Sequence, residues 1–176
     1  ANILEIQGMG VTEVIAFQPG NQYYKELEQS LLLVVLEDTP DCGIEDFAGI
    51  SLPSSYQDGA FIGSNNVVWN FVECRNENLD ANNSGIDGEA IMLRRVADGS
   101  RIYTSKIPTG IGSFSVKLYK GFTGAGNRQV ELLVNGESKG LSTPFDDFNE
   151  HLFVVDSINV AGDVVIELKN IKSMQV

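Results

Sequence analysis

The sequence predicts an all-β fold built as a β-sandwich of two antiparallel sheets, and three observations carry that expectation. Ser113 to Tyr119 alternates Phe114, Val116 and Leu118 with Ser115, Lys117 and Tyr119. Arg128 to Val134 alternates Val130, Leu132 and Val134 with Gln129, Glu131 and Leu133. Period-two alternation means one buried face and one wet face. Asn135-Gly136 then supplies the two positive φ angles of a type I′ hairpin turn. Finally, short apolar runs recur along the whole chain, separated by clusters of Gly, Pro, Asn, Asp and Ser, which is the pattern of a sandwich or barrel.

Taken in order, the first strands expected are Val11–Phe17 and Ser30–Glu37, parted by the turn Pro19-Gly20. Leu27, Leu31 and Val34 also fall at helical spacing, but the unbroken apolar run Leu31 to Leu36 fits a buried strand better. Asp38-Thr39-Pro40 is a break. Strands follow at Asp58–Ile62, Val67–Arg75, Glu89–Arg95, Arg101–Ser105, Ser113–Tyr119, Arg128–Val134, Leu152–Asp156 and Asp163–Leu168. Trp69 has two readings: with Val68 and Val72 inward its ring faces out, and with Phe71 inward it is core, the commoner place for a lone Trp. Residues 1–40 lack the clean alternation of the later chain. They form either the first strands of the same sandwich or the tail of a preceding domain, and residues 41–176 form the main module.

The chain of 176 residues is long enough for one domain with a proper core. Its formal charge is -12, which argues against general nucleic-acid binding. The longest apolar run is too short to cross a bilayer, so no membrane insertion is expected. No signal peptide is legible, so a secreted protein would be seen here in its mature form. Charge is uneven: Lys25 is the only base among residues 1–74, which fits either a solvated acidic surface or a face that takes a cation or a neighbouring domain. Cys42 and Cys74 fit either a disulfide or two buried, reduced thiols.

Chemistry is sought on the outward positions. With Phe114, Val116, Leu118, Val130, Leu132 and Val134 inward, Lys117, Tyr119, Gln129 and Glu131 share the other face, and Arg94 joins them if Ile91 and Leu93 are core. An aromatic ring beside charged and amide groups suits a sugar: the ring stacks on the pyranose and the polar groups bond its hydroxyls. Tyr119, Arg94 and Lys117 are the first residues expected there, and Arg75, which ends its strand, faces a loop ligand or an acidic partner. The stretch Asn76 to Asp87 is rich in hard oxygen ligands, and Asp80, Asn82, Ser84 and Asp87 fit calcium without forming an EF-hand. Asp38, Asp41, Glu45 and Asp46 form a second such group. The glycine-rich loop Gly121 to Arg128 lacks the Lys and Ser/Thr ending of a phosphate loop and reads as a turn between paired strands. His151, among Asp146, Asp147 and Glu150, reads as a solvated loop residue. No nucleophile or metalloprotease motif appears, so catalysis is not expected.

From Cys42 onward the order of these pieces carries a resemblance. Glu45-Asp46-Phe47, SSYQDGAFIG at Ser54 to Gly63, the Trp69 strand ending at Arg75, IDGEAIMLR from Ile86 to Arg94, GIGSFSVKLYKGFTG, NRQVELLVNG and AGDVVIELKN from Ala161 to Asn170 follow one another. This order resembles the jelly-roll, carbohydrate-binding-module-like domains of secreted multidomain bacterial proteins, among them extracellular nucleases and polysaccharide-degrading enzymes. The resemblance covers roughly three quarters of the chain and implies a non-catalytic module, secreted or at the cell surface. Its implied partners are a polysaccharide or glycan and neighbouring domains. It also raises the expectation of structural Ca²⁺ near the termini. Such modules often carry a further strand after the GDVVIELKN-like segment, a place that residues 1–40 would otherwise have to fill. The alternative is a structural or interaction sandwich with no glycan ligand.

Overall fold

The computed structural model describes residues 10–35, 43–77 and 88–176. The chain divides into two compact units, Ala1–Cys42 and Gly43–Val176. Eleven strands are found among the described residues: β1 (Gly10–Gln18), β2 (Leu27–Val35), β3 (Gln57–Ile62), β4 (Val68–Asn76), β5 (Ile91–Leu93), β6 (Arg101–Thr104), β7 (Phe114–Leu118), β8 (Val130–Val134), β9 (Glu137–Leu141), β10 (His151–Val155) and β11 (Ile166–Asn170). The fold is all-β with antiparallel pairing throughout, as the alternation and turn signals require.

The first unit is a hairpin. β1 and β2 pair over their full length, from Gly10 opposite Val35 to Gln18 opposite Leu27. The Asn21 side-chain oxygen accepts the amides of Tyr23 (2.8 Å) and Tyr24 (3.0 Å), which turns the chain between the strands. Ile15 and Phe17 lie exposed on one face of this ribbon. Leu31, opposite Val14, and Leu27, opposite Gln18, lie exposed on the other. The strand reading of Leu31 to Leu36 therefore prevails over the helical one up to Val35.

The second unit has two layers. Seven strands form one sheet in the order β3-β4-β6-β11-β8-β9, with β5 paired to the far end of β4. β7 and β10 pair separately, with Val116 opposite Phe153 and Leu118 opposite His151. The core lies between the layers: Phe71, Cys74, Leu93, Ile102, Val130, Leu132 and Leu168 of the large sheet pack with Leu118 and Phe153 of the small one. Asn135 (φ 52°) and Gly136 (φ 79°) make the expected hairpin turn between β8 and β9. After β11 the chain returns beside β5, where Val176 and Leu93 exchange both backbone hydrogen bonds.

Trp69 is resolved by a break in the period. Trp69 and Phe71 pack toward the core, and Val72 points away. Glu73 then takes φ 49°, and four residues of β4, from Phe71 to Cys74, face three of β3, from Gly59 to Gln57. This bulge flips the parity, so Cys74 also enters the core. The amide of Glu73 goes to Asp58 Oδ1 (2.9 Å) and its carbonyl accepts the hydroxyl of fully buried Ser100 (2.9 Å). Gly59 lies under the Phe71 ring, where a Cβ would clash. Cys74 is a free, buried thiol whose Sγ lies against the carbonyls of Val72 and Arg101, and burial pushes its pKa up to about 11. Cys42 lies outside the described residues.

One expectation is corrected here. β7 and β8 are not paired; β7 pairs with β10, and β8 pairs with β9 and β11. The glycine-rich loop between them crosses from one layer to the other. Its organiser is Arg128, whose side chain is 0% exposed. The guanidinium donates to the carbonyls of Gly121 (3.1 Å), Phe122 (3.3 Å), Gly124 (2.8 Å), Gly126 (2.5 Å) and Gln175 (3.1 Å), and to Asp146 Oδ1 (2.5 Å). Five N–H groups therefore serve six oxygens. Phe122 (φ 58°) and Gly126 (φ 132°) both take positive φ in the loop whose carbonyls converge on this guanidinium. Lys120, also buried, donates to the carbonyl (2.8 Å) and Oδ1 (2.8 Å) of the same Asp146.

Acid sensitivity follows from this cluster. The Lys120 ammonium, the Gly126 amide and the Arg128 charge hold the Asp146 carboxyl below its usual range. Lys169 and Ser138 do the same for Glu131. A depressed folded-state pKa contributes stability above the ordinary carboxylate pKa, lost as pH falls below about 4. Urea midpoints are expected to drop between pH 7 and pH 3, and Asp146→Asn, less stable at pH 7, should show a smaller drop.

Candidate functional site

The outer face of the large sheet is fixed by its inner one. In β6, Ile102 and Thr104 are buried, so Arg101 and Tyr103 point out. In β11, Leu168 and Asn170 are buried and Glu167 and Lys169 point out. In β8, Val130, Leu132 and Val134 are buried and Glu131 points out. Register makes these neighbours: Tyr103 lies opposite Asn70 and Glu167, and Lys169 lies opposite Arg101 and Glu131. Lys169 pairs with Glu131 at 2.7 Å, Arg101 with Glu167 at 3.7 Å, and the Arg101 guanidinium stands 5.8 Å from the centre of the Tyr103 ring.

Past the bulge the same face continues onto β5. Cys74 and Leu93 pair within the core, so the next pair, Arg75 and Met92, points outward. Tyr56 covers them: its hydroxyl donates to Met92 Sδ (3.1 Å), which leaves Met92 buried although it lies on the outer side. Arg94 and Arg75 stand over the Tyr56 ring at 5.0 and 5.7 Å. Burial pushes the Tyr56 phenol up to about 12 against the pull of those arginines. Arg94 is anchored by Glu73 (2.6 Å) and Asp98 (3.4 Å), and the Glu73 hydrogen bond, helped by the Asp98 charge, lifts its pKa. Its amide donates to Ser100 Oγ (2.7 Å) and its carbonyl accepts from Asn170 (2.5 Å).

The residues expected from sequence thus fall into separate places. Arg75, Arg94 and Glu131 come to the outer face of the large sheet. Gln129 precedes β8 and gives its amide to the Ser142 carbonyl (2.7 Å). Lys117, in β7, and Tyr119, just after it, lie on the other layer, where both meet Glu150; the Lys117 ion pair is 3.0 Å. They share no face with Glu131, because β7 and β8 belong to different sheets. The hydrogen bonds from Tyr119 and then Lys117 hold the Glu150 carboxyl below its usual range. Beside them Leu152 and Val154 are exposed, being opposite Lys117 and Ser115.

Tyr56 and Tyr103 are the residues of this candidate face that the sequence reading missed. Tyr103 had a signal, since it alternates with Ile102 and Thr104; Tyr56 had none, sitting in a loop. His151 is a correction to the solvated-loop reading. It opens β10, stacks on Phe145 (4.1 Å between ring centres) and bonds Asp147 at 2.9 Å.

Of the expected calcium ligands, Asp38, Asp41, Asp80, Asn82, Ser84 and Asp87 lie outside the described residues. Glu45 accepts the amides of Phe47 (2.9 Å) and Ser64 (2.9 Å), and Asp46 accepts that of Ala48 (3.0 Å). Among the described residues no three His, Cys, Asp or Glu side chains gather as a metal site. No helix there is long and apolar enough to cross a membrane. Comparison with family models, curated proteins and solved structures returned no match.

Proposed function

We propose that the module binds carbohydrate on the outer face of its large sheet, as a non-catalytic, jelly-roll accessory domain of a secreted or cell-surface protein. One observation carries this: two half-buried tyrosines share that face, Tyr56 with the Arg75 and Arg94 guanidiniums over its ring, and Tyr103 with that of Arg101 beside its ring and Asn70 and Glu167 in register. Tyr103 supplies a ring to stack on a pyranose, and Asn70, Arg101 and Glu167 supply donors and acceptors for its hydroxyls. A glycan array with the pure protein tests it. Tyr103→Ala is expected to weaken the bound glycan by about tenfold or more while leaving the melting temperature within a few degrees. An array with no positive, or a positive that Tyr103→Ala does not weaken, would count against this face.

A second reading is favoured by different side chains. Leu152 and Val154 on the small layer, and Ile15, Phe17, Leu27 and Leu31 on both faces of the hairpin, are apolar and exposed. They fit an interaction module that packs on neighbouring domains or subunits. Self-association in sedimentation experiments, with no glycan bound, would select it over the first.

A further inference from the structure

We propose that the ligand of this face is an acidic glycan, and that Arg75 takes its carboxylate or sulfate group. The inference rests on the carbohydrate reading above and adds the class of sugar. It begins from a comparison within the chain. Five arginines stand against 24 acidic residues, so a carboxylate is abundant for each. Four have one: Arg94 meets Glu73 and Asp98, Arg95 meets Asp98 (2.8 Å), Arg101 meets Glu167, and Arg128 meets Asp146.

Arg75 does not. Its contacts are one Nε hydrogen bond to the Asn76 carbonyl (3.3 Å) and the Tyr56 ring. Its terminal N–H groups, the fork that matches an oxyanion two bonds at a time, have no carboxylate among the described residues. The one acidic side chain close by in β4, Glu73, is turned to Arg94. The bulge fixes that choice, because the Glu73 amide and carbonyl are held by Asp58 and Ser100.

The consequence is a guanidinium fork with no anionic partner among the described residues of a strongly acidic protein. Tyr56 carries two guanidiniums, and among the described residues carboxylates answer only Arg94. A neutral sugar offers hydroxyls, which Arg101, Asn70 and Glu167 already suit. A uronate carboxylate or a sulfate ester offers two or three coplanar or pyramidal oxygens, and it is the group that completes Arg75.

Calorimetric titrations of the whole chain with polygalacturonate, dextran sulfate and neutral dextran test this, with wild type, Arg75→Gln and Tyr103→Ala side by side. Wild type is expected to prefer at least one acidic polymer over dextran by about tenfold, and Arg75→Gln should bring that preference close to one. Loss confined to polygalacturonate assigns a carboxylate; loss confined to dextran sulfate assigns a sulfate ester. A melting curve verifies that Arg75→Gln is folded. Equal binding of neutral and acidic polymers, or a preference that survives Arg75→Gln, overturns the acidic-glycan inference and leaves the carbohydrate reading standing. Acidic polymer binding that 0.15 M salt abolishes equally in wild type and Arg75→Gln is surface adsorption and also overturns it. No binding to any glycan, here and on the array, overturns the carbohydrate reading itself.

Discussion

Replacing Arg128 by Met is expected to lower the stability of the second unit by about 3–5 kcal/mol. The hydrophobic stem is kept, so the loss isolates the guanidinium. Without it, four loop carbonyls and that of Gln175 lose their shared donor inside a site with no exposed surface. Lys120 keeps Asp146 partnered, so the carboxylate is not the main casualty. Arg128→Lys retains a charge but only three donors and should fall between Met and wild type. Urea unfolding followed by Trp69 fluorescence checks both. A Met variant within about 1 kcal/mol of wild type would show that the loop closes without its cation.

Ser100→Ala is the second large effect, expected at about 2–3 kcal/mol although it removes a single oxygen. That hydroxyl donates to the Glu73 carbonyl and accepts the Arg94 amide, and Cys74 Sγ lies 3.5 Å away. Two backbone groups lose their partner at once, and both belong to segments that orient the arginines over Tyr56. If the proposed glycan face is correct, the variant should therefore lose glycan affinity as well as stability, whereas a simple core substitution such as Leu132→Ala, equally destabilising, should keep that affinity. Titration at a temperature where both variants remain folded separates the two.

Strand positions were legible because alternation is local. Val130, Leu132 and Val134 face inward as expected, and Asn135-Gly136 turns as expected. Pairing was not legible, because it depends on where a loop sends the chain. Arg128 shows the difficulty. It sits in phase with Val130 and Leu132, so parity put it inside, yet a charged residue at a strand end is ordinarily read as wet. Three glycines just before it, Gly121, Gly124 and Gly126, were the remaining signal that backbone carbonyls converge there. The bulge at Glu73 hid Trp69 in the same way: one residue with positive φ reverses every parity argument beyond it. For the candidate site, Arg94 and Glu131 were found from alternation and Arg75 from its place at a strand end, whereas Tyr119 and Lys117 were joined to them only by assuming that β7 lies beside β8.

The arginine-filled loop has one more consequence, in terms of mass action. A loop closed by a diffusible ion gains stability that rises with ion concentration and vanishes on dilution. Here the cation is carried by the chain, so its local concentration is fixed by a short stretch of backbone. The crossover between the two layers therefore stays closed to the same degree in a dilute, ion-poor medium as in a rich one, and its order is a property of the sequence alone.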